Sequence, residues 1–258
     1  MGTPDHRRFS PLSLLRSSRD AAIDLLFPPV CNFCSDELAR SDGGAILCAG
    51  CVGQLRPKLA AVCPRCASPC PEIPSADGEC PSCRGAKYAF SAARTLGLYG
   101  GELRSAVLRM KHPEHEPLAM AIGRQLAEVL QASPFPAPVD LVAPVPMHWL
   151  KRLWRGANPA ETLAGSLAGE AHLRNAADLV RCRRLLKKQG TLSTGERFQN
   201  VRNAYRVSRS FDIRGATVLV VDDVVTTGAS ADAVGKALRR AGAADVFVIA
   251  AARGTGHR

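Results

Sequence analysis

Eight cysteines of this 258-residue chain fall into four Cys-x-x-Cys pairs: Cys31/Cys34, Cys48/Cys51, Cys63/Cys66 and Cys80/Cys83. The first two pairs and the last two are each separated by 13 residues, so the segment reads as one small unit used twice. A two-residue spacer lets both sulfurs of a tight turn face one ion. Two such turns complete a tetrahedral thiolate set that suits Zn2+. A single pair would fit a redox couple equally well, whereas four within 53 residues read as structural zinc. The spacing leaves one ion or two open. The simplest pairing puts Cys31, Cys34, Cys48 and Cys51 on one ion and Cys63, Cys66, Cys80 and Cys83 on another. Interleaved sets, or Cys70 in place of a ligand, are the alternatives. Cys182, far from the pairs, reads as an ordinary buried thiol.

A second chemical segment is Val218-Leu-Val-Val-Asp-Asp-Val-Val-Thr-Thr-Gly-Ala-Ser230. It reads as an apolar strand, two carboxylates, a short polar loop and a helix start. Open α/β sheets bind ligands at the C-terminal ends of their strands. A helix N-terminus offers free N–H groups and partial positive charge to a phosphate. Thr226, Thr227 and Ser230 add hydroxyls, and Gly228 followed by Ala229 lets backbone close round an anion. Asp222 and Asp223 then stand where they can reach sugar hydroxyls or organise Mg2+. The plainer alternative is a pair of capping carboxylates in a polar turn. The segment is neither a P-loop nor a dinucleotide fingerprint, since both glycine patterns are absent.

The surrounding pattern supplies elements to hold these residues. Residues 93–99 alternate like a strand, and Glu102–Lys111 and Pro117–Ala132 have helical spacing. Asp140–Val145 is a buried strand, and Asn158–Glu170 a helix with Pro159 in its first turn. Leu179–Arg184 reads as a short strand. Thr217–Val221 is a strand, Ser230–Ala241 a helix and Asp245–Ala251 the last strand. Alternating helices and continuously apolar strands imply an α/β fold, mainly a parallel sheet with helices on both faces. The Pro- and Gly-rich cysteine segment has too little core of its own, so metal supplies much of its folding free energy. Residues 1–27 read as an arm with a short amphipathic helix, 28–88 as the zinc module and 89–258 as the α/β domain.

Composition narrows the choices. Apolar residues make up 46% and charged residues 22%, ordinary for a globular chain. No apolar run approaches the ~18 residues of a membrane-spanning helix. The N-terminal stretch Pro11–Leu15 is too short for a signal-peptide core, so a cytoplasmic protein without a membrane span is expected. The net charge is +11, and the segment from Lys151 to Arg209 carries 13 Lys and Arg against four acids. Such a surface is either a solvated basic face or one that meets phosphate. Aromatics are only 5%, which weighs against a base-stacking groove.

Asp222-Asp223-Val-Val-Thr-Thr-Gly-Ala-Ser230, with its apolar strand, resembles the motif by which type I phosphoribosyltransferases bind phosphoribosyl pyrophosphate (PRPP). The chain as a whole, from about Asp24 to Arg253, resembles the ComF family. The likeness runs through Asp24-Leu-Leu-Phe-Pro-Pro-Val-Cys31, the Cys pairs, Leu108-Arg-Met-Lys111, Val142-Ala-Pro-Val-Pro146 and Arg155-Gly-Ala-Asn158. It continues through Gln189 and Arg197-Phe-Gln-Asn-Val201 to the Asp-Asp loop. Three positions depart from the family pattern: Ala157-Asn158-Pro159 stands for Phe-Asn-Gln, and Leu186 for Thr.

The resemblance implies a double zinc ribbon followed by a type I phosphoribosyltransferase fold. By position, Asp222 and Asp223 would hold the ribose hydroxyls and Thr226 to Ser230 the 5-phosphate. Pro146, Met147 and His148 would form the pyrophosphate loop, with Lys151, Arg152 and Arg155 behind it. A flap over 183–201, with Gln189 and Arg197, would cover the site, and Lys111 would lie near the phosphates. PRPP or a related phosphorylated ribose would arrive with Mg2+, and no catalytic side chain is named. The rival implied by a competence family is a protein that binds single-stranded DNA and other competence proteins. A third reading is a PRPP sensor that performs no transfer.

Overall fold

The structure is a computed structural model describing residues 28–38, 46–57, 61–70, 79–133, 135–187 and 192–255. The expected helix within 1–27 and the expected flap residue Gln189 lie outside the described residues. By compactness the chain divides into Met1–Cys48 and Ala49–Arg258.

In the first unit Cys31 opens a tight turn. The Ser35 amide donates to the Cys31 carbonyl at 2.8 Å and the Cys31 amide to the Asp36 carbonyl at 2.8 Å. Ser35 is left-handed, with φ 69°. An antiparallel bridge from Val30 to Glu37 closes the base of the turn. The Cys48 amide donates to Cys31 Sγ at 3.4 Å, and Cys34 and Cys48 Sγ are 3.7 Å apart.

The second unit opens with helix α1 (Ala49–Leu55), which carries Cys51, and then repeats the turn. Ala67 donates to the Cys63 carbonyl and Cys63 to the Ser68 carbonyl, each at 2.8 Å. Ala67 is left-handed at φ 57°, and Val62 bridges Pro69. The repeat read from cysteine spacing is therefore a repeat of backbone geometry.

The rest of this unit is a five-stranded, wholly parallel sheet in the order β1-β7-β6-β2-β3. In chain order the elements are β1 (Ala92–Leu98), α2 (Gly101–Arg109), α3 (Glu116–Ala132), β2 (Leu141–Pro144), α4 (Trp149–Arg155) and α5 (Pro159–Glu170). There follow β3 (Arg174–Asn175), β4 (Val180–Cys182), α6 (Thr194–Val201), β5 (Tyr205–Val207), β6 (Thr217–Val225), α7 (Ala229–Arg240) and β7 (Asp245–Arg253). β4 and β5 form a separate antiparallel pair.

The period-two alternation of strands sorts the core into two layers. Val218, Val220, Val246 and Val248 pack with Val234 and Leu238 of α7 and with the β4–β5 pair. The intervening Leu219, Val221, Phe247 and Ile249 are also fully buried, under α3 and α5 on the other face. Both faces being covered explains why these strands read as continuous apolar runs.

The sequence ends the central strand at Val221, but β6 continues through both aspartates to Val225. β7 keeps pairing beside it, from Asp222 against Ala250 to Val225 against Arg253. β2 stops at Pro144, opposite Val221, so the last four residues of β6 have no strand on that side. The expected α/β fold with a parallel sheet and flanking helices is what the chain forms.

Candidate functional site

β2 leads through α5 to β3 on one side, while β6 leads through α7 to β7 on the other. The crevice beyond the ends of β2 and β6 is thus the switch point of the sheet, where such folds take ligands. A cavity of about 410 Å³ lies there. Its size suits a small phosphorylated molecule.

Of the residues expected from sequence, Asp222, Asp223, Thr226 and Ser230 line this cavity from the β6 side. Pro146, Met147 and His148 line it from the loop after β2, joined by Lys111, Arg155 and Arg197. Thr227, Gly228 and Ala229 are not among the lining side chains. They form the turn behind, where backbone is the useful part. Gly228 caps α7 at φ 76°, a left-handed position that glycine takes without strain.

Both carboxylates face the cavity and lie close enough to interact side chain to side chain. Asp223 meets the Lys111 ammonium at 3.4 Å. Asp222 accepts from the Asp223 amide at 2.8 Å. Burial, then the charge of Asp223, pushes the Asp222 carboxyl well above the usual carboxylate range. Burial likewise raises the Tyr205 phenol, beside Cys182 and Asp222 and in hydrogen-bond contact with Ser230.

Cations crowd the opposite wall. Burial and then the neighbouring Arg155 hold the Lys151 ammonium below its usual value, with Lys111 adding to the effect. A cation held below its usual value by burial and neighbouring cations is stabilised by an anionic ligand beside it.

The loop after β2 is fixed by its ends. His148 caps α4, its Nδ1 accepting from the Leu150 amide at 3.3 Å. Gly156, left-handed at φ 80°, ends that helix. A Cβ there would come within 2.8 Å of Pro113. Buried Asn158 donates to the Val145 carbonyl at 3.2 Å and to Glu161 at 3.0 Å, pinning the loop to the start of α5. Pro159, one of the departures from the family pattern, takes the first position of α5.

In the expected flap, Ser193 and Glu196 form a capping box that starts α6. Lys187 and Asn200 exchange two hydrogen bonds, amide to Oδ1 at 3.2 Å and Nδ2 to carbonyl at 3.1 Å.

Sequence reasoning missed several residues here. Tyr99 and Tyr205 line the cavity, and nothing in their spacing signals it; Lys187, within the expected flap over 183–201 but not singled out there, lines it as well. Cys182, read as an ordinary buried thiol, is only partly buried and lines the cavity. Helix α4 was unforeseen, because its Trp149, Leu153 and Trp154 are 64%, 73% and 73% exposed and leave no buried apolar stripe to read.

The metal cluster stands apart from this cavity. Cys63, Cys66, Cys80 and Cys83 are all buried, with their sulfurs within 4.8 Å of one another. The separations are 3.8 Å for Cys63–Cys83, 3.5 Å for Cys66–Cys80 and 3.8 Å for Cys80–Cys83. A tetrahedron with Zn–S bonds of ~2.3 Å has edges of about 3.8 Å, so the four fit one zinc. Cys70 packs against the cluster but is not one of the four. In the first unit Cys31, Cys34 and Cys48 have the same local arrangement. No described helix is long and apolar enough to cross a membrane.

Comparison with known proteins agrees with these two parts. Residues 22–84 match the double zinc ribbon domain, and residues 157–256 match the phosphoribosyl transferase domain. DNA utilization protein YhgH of Salmonella typhi is 30% identical over 229 residues, covering 87% of this chain and 96% of that protein. Competence protein F of Haemophilus influenzae is 32% identical over 117 residues, 44% of this chain and 50% of that protein. Among solved structures, glutamine PRPP amidotransferase from B. subtilis, complexed with ADP and GMP, is 21% identical with a TM-score of 0.34. The likeness covers 51% of this chain and only 25% of that one.

Proposed function

The chain belongs to the ComF family, with a double zinc ribbon and a phosphoribosyltransferase domain, and on that footing we propose that its cavity binds PRPP with Mg2+. The observation that carries this reading is the pairing of opposites across one crevice. Two carboxylates and a helix N-terminus stand on the β6 side, with Lys111, Lys151 and Arg155 around them. The turn from Thr226 to Ser230 takes the 5-phosphate on backbone amides and hydroxyls. Asp222 and Asp223 accept from the ribose hydroxyls, and their hard oxygens suit Mg2+. The loop Pro146–His148, with Lys151 and Arg155 behind, meets the pyrophosphate. Mg2+ would supply charge neutralisation at that leaving group.

If transfer follows, the bond from the anomeric carbon to the pyrophosphate oxygen breaks and pyrophosphate leaves with the electron pair. A nucleophilic atom of the acceptor bonds the same carbon. Positioning and the cations at the leaving group do this work, and no side chain need bond the sugar. Isothermal titration with PRPP and Mg2+ tests the binding step. We expect saturable binding that Asp222→Asn and Asp223→Asn weaken. A parent that does not bind, or variants indistinguishable from it, would remove the reading.

One observation favours a second activity, single-stranded DNA binding in a competence or DNA-utilization role. The chain has two tryptophans, and both stand exposed on α4 among Lys151, Arg152 and Arg155. Few aromatics suffice when they are exposed beside cations that track a phosphate backbone. Tryptophan fluorescence on titration with oligo(dT) reads this surface directly. Quenching that weakens steeply with salt, is lost in Trp149→Ala/Trp154→Ala and survives Asp222→Asn supports it. Unchanged fluorescence at low salt counts against it.

A further inference from the structure

The second cysteine knuckle grips the back of the β6–α7 turn through two side chains. Arg253, the last residue of β7, is 5% exposed. One of its guanidinium nitrogens donates to the carbonyls of Val225 at 2.9 Å, Gly254 at 2.6 Å and Thr226. The other donates to Ser68 Oγ at 2.6 Å. Ser68 is itself 3% exposed and sits on the knuckle, where its carbonyl holds the Cys63 amide and its hydroxyl and amide both reach the Cys66 sulfur. Tyr88 packs on the same cysteine cluster, stacks on Phe90 at 4.6 Å and donates its hydroxyl to the Thr227 carbonyl at 3.0 Å. Its ring also backs Gly228, where a Cβ would lie 3.3 Å from Tyr88 Cε1.

Three successive carbonyls, those of Val225, Thr226 and Thr227, are therefore held toward the knuckle. In a planar trans peptide the following N–H points the opposite way. Fixing these carbonyls turns the amides of Thr226, Thr227 and Gly228 away from the knuckle, and Thr226 and Ser230 line the cavity on that side. The arrangement also contains an electrostatic debt. Among the described residues no carboxylate pairs with Arg253, and its Nε has no partner. A buried cation without a counter-charge is costly. Four thiolates around one Zn2+ carry a net charge of about −2, and Ser68 relays between one of those sulfurs and the guanidinium.

We infer that the Cys63–Cys66–Cys80–Cys83 knuckle is the support that aims the phosphate-binding turn, with Ser68, Arg253 and Tyr88 as positioning residues, so that zinc in the knuckle and a phosphorylated ribose in the cavity bind cooperatively. The inference rests on the PRPP reading above. Coupling of this kind is reciprocal: if the loaded knuckle tightens ligand binding, ligand must tighten zinc binding by the same factor.

The test uses the full zinc-loaded chain with PRPP and Mg2+ as the probe. Zinc release to a chromogenic chelator is followed with and without PRPP, and PRPP affinity is measured by titration. We expect PRPP to increase retention of one zinc equivalent by about tenfold. Tyr88→Phe and Ser68→Ala should keep their zinc, weaken PRPP binding and shrink the protection; Ser68→Ala, which takes a partner from a buried guanidinium, should also melt lower than the parent. Ser68→Thr, which keeps the hydroxyl, should restore binding and protection. A parent that binds PRPP while its zinc release stays unchanged overturns the coupling and leaves the PRPP reading standing. Variants that hold zinc and bind PRPP like the parent do the same. A parent that binds no PRPP overturns both.

Discussion

The Lys111 ammonium lies 3.4 Å from the Asp223 carboxylate, which ties the segment after α2 to the overhanging end of β6. Both side chains are about a quarter exposed, so the pair itself contributes little to stability, roughly 0–1 kcal/mol. Its consequence is positional: a cation stands at the cavity wall next to the acidic tip. Lys111→Gln should leave the melting temperature within about 2 °C of the parent. The same change should weaken PRPP binding by about tenfold, the loss of one charge-assisted contact. Paired melts and titrations check both halves; a large loss of stability with unchanged affinity would assign Lys111 to the scaffold instead.

Asp222 makes stability depend on pH in a stated direction. Its carboxyl is raised above 3.8 by burial and by Asp223, so the folded chain holds that proton more tightly than the unfolded one. Between the unfolded and folded values, stability falls as pH rises. Asp222→Asn removes the ionisation and its cost. The variant should melt above the parent at pH 8, and the gap should close toward pH 4. Differential scanning calorimetry across that range reads it. A variant no more stable than the parent at pH 8 contradicts a carboxyl raised in the folded chain. Higher stability with poorer PRPP binding is the trade-off expected of a binding residue.

Gly228 holds φ 76° at the start of α7 with Tyr88 against it. Gly228→Ala places a Cβ in the left-handed region, at a cost of roughly 1–2 kcal/mol, and 3.3 Å from the Tyr88 ring. Chemical denaturation should show that loss, and PRPP affinity should fall because the turn shifts. Equal affinity in a destabilised variant would mean the turn does not touch the ligand.

Zinc content follows from the knuckles. The protein as purified should carry about two zinc equivalents per chain, one for each four-cysteine set of the double ribbon. Cys83→Ser should remove one equivalent. Metal analysis of parent and variant reads the count. One equivalent in the parent, or none lost in the variant, contradicts the assignment.

How much of this was legible beforehand follows from which residues carry local signals. The thiols carry theirs in spacing alone, and the repeated turn at Cys31 and Cys63 follows it in backbone detail. The strands under the cavity carry theirs as unbroken apolar runs, because both sheet faces are covered. The extension of β6 to Val225 was hidden because two carboxylates look like the end of a strand. Only pairing with β7, a long-range partner, carries the strand past them. Helix α4 was hidden because its apolar side chains face solvent rather than a core. The wall from Tyr205, Lys187 and Cys182 comes from the β4–β5 pair and the segments flanking it, which tertiary packing alone brings to the site. Arg253 gave no signal at all: it ends an apolar strand, and the Val225 carbonyl and Ser68 hydroxyl it holds are distant in sequence.

The most direct measurement is a crystal structure of the zinc-loaded protein with PRPP and Mg2+. The account predicts the 5-phosphate within hydrogen-bond distance of the amides between Thr226 and Ser230, with the ribose hydroxyls on Asp222 and Asp223. A phosphate bound instead at Lys151 and Arg155, with that turn empty and both aspartates turned from the sugar, would contradict it.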